Sequence, residues 1–168
     1  MDRCAFDSDK IKSLAYEIYK HLDKNREQVF VCIGCDKYVC DSLAPIVAEY
    51  LKNRYNISAY VYGGLGYNIT ASNLVTALNF ITTQHLKSQV IVVDAMLGEK
   101  IGEIKIKNGC YPAGGRVLPV TKSGDFSLLG VVGKKSGDFN LNSTRLQCVL
   151  DMAGVMAKAI AMAMYVIA

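Results

Sequence analysis

Runs of basic residues are missing from this 168-residue sequence, in which Lys134 and Lys135 are the one adjacent pair of cations. With a net charge of +4, the scatter describes a solvated surface and argues against a nucleic-acid footprint. A signal peptide is not expected, because Asp, Lys and Glu break the first apolar-periodic segment. A pro-segment is not expected at the N-terminus either. The closing run, AIAMAMYVIA (159–168), is short and follows Lys158, which makes it a buried C-terminal helix and not a bilayer span. No membrane partner is expected. Together these absences point to the cytoplasm, with the six cysteines reduced.

Metal ligands are also scarce. Cys32, Cys35 and Cys40 lie close together, but a structural zinc site wants a second ligand pair. Cys4, Cys110 and Cys148 are isolated. Cys32 falls inside an apolar run, where cysteine behaves as a small hydrophobe. No metal and no other cofactor is expected.

What is present is a core: 51% of the residues are hydrophobic and 20% charged, enough for one folded α/β domain over 1–168. Residues 9–23 carry Ile11, Leu14, Ala15, Ile18, Tyr19 and Leu22 on one helical face, with Asp7 or Ser8 as cap. Residues 29–34 read as a buried strand. Residues 42–54 return to helical spacing, with Pro45 tolerable in the first turn. SAYVYGG (58–64) is a second strand, 72–86 a helix, and VIVVD (90–94) a third strand, continuous as when both faces are covered. The β-α-β-α-β pattern predicts parallel strands with right-handed crossovers.

Beyond it, EIKIK (103–107) alternates like a half-exposed edge strand, and Asn108-Gly109 signals a turn. YPAGGRVLP (111–119) is irregular. SLLGVV (127–132) is a further strand, and Asn142 or Ser143 caps a last helix to about residue 166. There is no internal repeat.

Open parallel sheets collect ligands beyond the carboxyl ends of their strands, where strand order reverses. If the order is second, first, third, Asp36 and Asp41 leave strand one at the edge where Asp94 ends strand three. Asp125, in KSGDFSLLG, leads into a strand and joins them only if strand 127–132 is antiparallel. His21 and His85 close helices that precede strands, so they fall at the opposite edge and leave carboxylates to do any acid–base chemistry. The plainer readings are turn capping for Asp36 and Asp125 and helix capping for Asp41. Asp94, directly after a buried run, loses solvation unless something uses it. Gly63, Gly64, Gly66, Gly114 and Gly115 could admit a substrate backbone, or could simply make turns.

CIGCDKYVCDSLAP, VYGGLGYNITASNL, VIVVDAMLG, YPAGGRVLPVTKSGDFSLLGVV and NSTRLQCVLDMA, in that order, resemble the YyaC family of sporulation proteins over about residues 28–160. That family in turn is similar to the spore germination proteases and, more distantly, the hydrogenase-maturation endopeptidases. The resemblance implies a phosphorylase/hydrolase-like α/β fold, a three-layer sandwich around a mostly parallel sheet. It implies that Asp41, in CDSLAP, and Asp94, in VVDAML, form a catalytic pair for peptide-bond hydrolysis in a sporulating cell, acting on a protein or peptide. Cys40 and Ala44 stand where that pattern has glycine. The maturation endopeptidases add a histidine to bind a metal. Here a metal-dependent variant would have to use Asp41, Asp94 and Asp125. A non-catalytic peptide-binding or scaffold protein of sporulation is the alternative.

Overall fold

The computed structural model describes residues 7–109, 125–135 and 144–167. The 111–119 segment, Gly114 and Gly115, and the cap at 142–143 lie outside them.

Helix α1 (Ser8–His21) starts where Asp7 accepts a hydrogen bond from the Lys10 amide at 2.8 Å, satisfying one orphan donor of the first turn. Among the described residues five strands follow: β1 (Gln28–Cys32), β2 (Tyr60–Tyr62), β3 (Gln89–Gly98), β4 (Ile104–Asn108) and β5 (Phe126–Lys134). They form one sheet in the order β2-β1-β3-β5-β4. β2, β1 and β3 are adjacent and parallel, as the β-α-β-α-β pattern predicts. β4 is antiparallel at the edge and half-buried throughout all but its last residue.

The central strands are buried at nearly every position, and apolar through their middles, because each face has its own cover. Phe30, Cys32, Ile91, Val93, Phe126 and Leu128 point to one side, into a core with α1, α2 (Leu43–Glu49) and α4 (Leu146–Ile167). Val29, Val31, Val90 and Val92 point to the other, where Leu74 and Ile81 of α3 (Leu74–Gln84) close over them. Each such aliphatic side chain contributes ~1.5–3 kcal/mol by leaving water. The result is three layers, helix–sheet–helix.

Three elements hold detail beyond the sequence reading. Helical backbone spans 43–54, but α2 widens after Glu49 into a turn where the Tyr55 amide bonds Tyr50 O, five residues back, at 3.0 Å. α4 is 22 residues long, so by length and hydropathy it could cross a membrane, yet half of that stretch is buried in the fold. And β3 does not end at Asp94. Its pairing with β1 stops at Cys32–Val93, while its pairing with β5 continues through a bulge at Met96/Leu97 to Gly98. Asp94 is therefore the first β3 residue beyond the β1 register, still opposite Leu129.

Candidate active site

Where β1 ends, three consecutive amides diverge to three different segments. Ile33 N donates to Val93 O at 2.8 Å, Gly34 N to Ile69 O at 2.8 Å, and Cys35 N to Asp41 O at 3.1 Å. Consecutive Cα atoms are about 3.8 Å apart, so this short piece of backbone gathers the residue before Asp94, the end of the loop after β2, and Asp41 itself. Gly34 is required here. Its φ is +151°, and a Cβ would lie 2.2 Å from Asp41 O.

Asp41 sits in a single tight helical turn, Val39–Asp41, that leads into α2. It is not the cap of that helix. Ser42 holds the cap position, no side chain makes a capping bond, and the Ser42 hydroxyl donates back to Val39 O at 2.8 Å. Burial raises the Asp41 carboxyl above the usual carboxylate range, partly offset by the Cys35 amide.

Asp94 is 6% exposed. Ala95 N donates to its Oδ1 at 2.7 Å, which is too little to replace the lost water. Burial pushes the carboxyl up to about 8, and the charge on Asp41 adds to the rise. The two acids thus differ in rank. Asp94 is the more strongly raised of the two, and it must ionise against Asp41's charge.

Asp36 leaves the same edge, but its carboxylate is otherwise engaged. It accepts from Asn68 Nδ2 at 2.9 Å and Gly66 N at 2.8 Å, and these bonds, Asn68's first, hold it below the usual carboxylate range. It pins a loop, close to the turn-capping role.

Asp125 is elsewhere. β5 runs parallel to β3, so a residue that leads into β5 lies at the amino edge. There Asp125 accepts from Arg26 at 2.7 and 3.1 Å and from Val90 N at 2.9 Å. The triad of Asp41, Asp94 and Asp125 is therefore not assembled. Among the described residues no group of three or more His, Cys, Asp or Glu is disposed to hold a metal.

Both histidines lie at the amino edge. His21 Nδ1 bonds Glu17 O at 2.9 Å and its ring meets Phe126, the first residue of β5, at 5.4 Å. His85 Nε2 bonds the Tyr62 hydroxyl at 2.7 Å. Cys32, Cys35 and Cys40 are free. Burial raises the Cys32 thiol to about 12 and raises that of Cys40 as well. Cys148, expected to be reduced, is disulfide-bonded.

The sequence reading missed the residues that hold the loop after β2. Lys52 Nζ donates to Gly63 O at 2.8 Å, and Glu49 Oε1 accepts from Leu65 N at 3.3 Å. Asn68 answers Asp36. The spaced glycines were the one signal that this loop needs support.

Comparison with known proteins gives three findings. The family described as "Protein of unknown function (DUF1256)" matches residues 4–159. The chain is 34% identical over 139 residues to "Uncharacterized protein YyaC" of Bacillus subtilis (strain 168), covering 80% of this chain and 68% of that one. Among solved structures it is similar to the [NiFe] hydrogenase maturation protease HycI from Thermococcus kodakarensis KOD1, with a TM-score of 0.47 and 21% identity. That likeness covers 80% of this chain and 92% of the other.

Proposed function

Because the chain belongs to the DUF1256 family, whose function is unknown, we propose its activity from its own site: an endopeptidase that hydrolyses peptide bonds with Asp41 and Asp94. One observation carries the reading. A buried carboxyl raised to about 8, and raised in part by the charge of a second acid, stands at the carboxyl edge of the sheet.

In this mechanism the Asp41 carboxylate takes a proton from water, and the water oxygen attacks the scissile carbonyl carbon. Asp94, neutral, donates its proton to the carbonyl oxygen as the tetrahedral species forms. Asp41 then passes its proton to the leaving nitrogen while the C–N bond breaks. The re-forming carbonyl returns a proton to Asp94, and the site is restored. No step passes through a metal.

The substrate is a protein or peptide of the sporulating cell, met in its cytoplasm; this assignment draws on the resemblance to sporulation proteins. Nucleic acid and membrane are not partners in it. The test is incubation with a spore-protein extract followed by mapping of new peptide termini. Wild type should generate termini that Asp94→Asn does not. Identical termini from both would overturn the mechanism, and peptides retained without cleavage would support a non-catalytic peptide-binding protein.

A further inference from the structure

We propose that the Gly63–Asn68 loop is the substrate-binding wall of the acid site. In this reading Leu65 and Tyr67 select peptides by an aromatic or aliphatic side chain near the scissile bond, and Asp36 is the residue that positions the loop. The inference rests on the peptidase reading.

The loop is fixed at nearly every residue. Lys52 holds Gly63 O, Glu49 holds the Leu65 amide, and Asp36 holds the Gly66 amide and the Asn68 side chain. Asn73 Nδ2 then donates to Asn68 O at 3.0 Å. Its far end is tied to Gly34, the neighbour of the residue that is tied to Asp41. The loop is therefore anchored beside the acids through one residue step of β1's extension.

Despite this support, Tyr67 is 83% exposed and Leu65 43% exposed. Polar side chains from three elements thus hold in place a loop that leaves two large apolar groups in solvent, next to a site that needs a substrate. Tyr38, at the start of the turn that carries Asp41, is 46% exposed as well. Scattered surface hydrophobes need no explanation, but two on a loop held by polar side chains and tied to the segment that holds Asp41 are what a subsite requires.

Asn68 supplies an independent sign. Asp36 can only accept, so it fixes Asn68 with Nδ2 outward. Asn68 Oδ1 is then left buried with no donor, the one such side-chain atom among the described residues. An extended substrate that displaced what covers Asn68 would offer amide donors to that acceptor.

The test uses a feature of the composition: the chain has no tryptophan, so Tyr67→Trp installs a single fluorophore. In the Asp94→Asn background, this variant is titrated with two synthetic pools, one rich in Phe and Leu, the other in Ser and Gly. The apolar pool should shift its emission at concentrations about tenfold lower. Adding Asp36→Ala should remove the difference. In cleavage assays, Tyr67→Ala and Asp36→Ala should each raise KM for apolar-flanked peptides by about tenfold, with much smaller changes in kcat. An emission response equal for both pools, or absent for both, would overturn the inference. So would unchanged KM in both variants of a cleaving enzyme. If wild type cleaves nothing, the peptidase reading falls, and the fluorescence titration still decides whether the loop binds peptide.

Discussion

A carboxyl kept as the neutral acid inside a fold makes stability depend on pH in a defined direction. The Asp94 pKa is raised to about 8, so the native state holds its proton where the unfolded chain has lost it. This contribution is fully present below the unfolded value, near pH 4, and is lost as pH rises through about 8. Asp94→Asn carries no such dependence. Its melting temperature should match wild type near pH 4 and exceed it increasingly toward pH 8, the stability difference reaching on the order of a few kcal/mol. A constant gap across that range would contradict the buried neutral acid. Asp41→Asn should lower cleavage by about 10²–10⁴-fold without lowering stability. Asp41→Ala should cost less than the ~1 kcal/mol of a lost helix cap, since Ser42 holds the cap position. Thermal melts beside cleavage rates check both. Asp41 and Asp94 were singled out in the sequence because one lies in the loop that leaves the first buried strand and the other closes a buried run, a pairing the family resemblance also implied. Their difference in acidity was not, since it depends on how much of each carboxyl the surrounding elements cover.

At the scale of elements, the turn after β1 tolerates little change. Gly34→Ala would place a methyl group 2.2 Å from Asp41 O in a left-handed conformation. It should cost about 2 kcal/mol or more and abolish cleavage, as measured by denaturant melts and substrate turnover. Gly66→Ala is the control, since nothing lies within 4 Å of its added Cβ; it should cost about 1–2 kcal/mol through φ alone. The short strands and crossovers could be read from hydrophobic runs and turn residues. The extension of β3 to Gly98 could not. AMLG has no strand signature of its own, and it is held extended by pairing with β5, a partner far along the chain.

For the whole molecule, the sheet separates its charges by edge. The carboxyl edge gathers Asp36, Asp41 and Asp94, and the amino edge locks Arg26 to Asp125. Asp125→Ala should therefore lower stability by about 1–2 kcal/mol, because Val90 N loses its acceptor while the third-exposed ion pair adds little. It should leave kcat/KM within about twofold. A denaturant midpoint and a cleavage rate from one preparation separate the two effects; a large loss of activity would return Asp125 to the site. Strand direction is what misplaced this residue in the sequence reading. The run SLLGVV reads the same either way, and its polarity is settled by β3 beside it.

The divergence of three successive amides at Ile33, Gly34 and Cys35 also has a spectroscopic consequence. Each reports on a different partner, so hydrogen exchange at these positions resolves the integrity of the site segment by segment. If the acids, the loop and the turn open as one unit, the three should exchange at a common rate. If the loop after β2 breathes alone, as a substrate-admitting wall could, Gly34 should exchange faster than both of its neighbours. Saturation with a bound peptide should then slow Gly34 selectively.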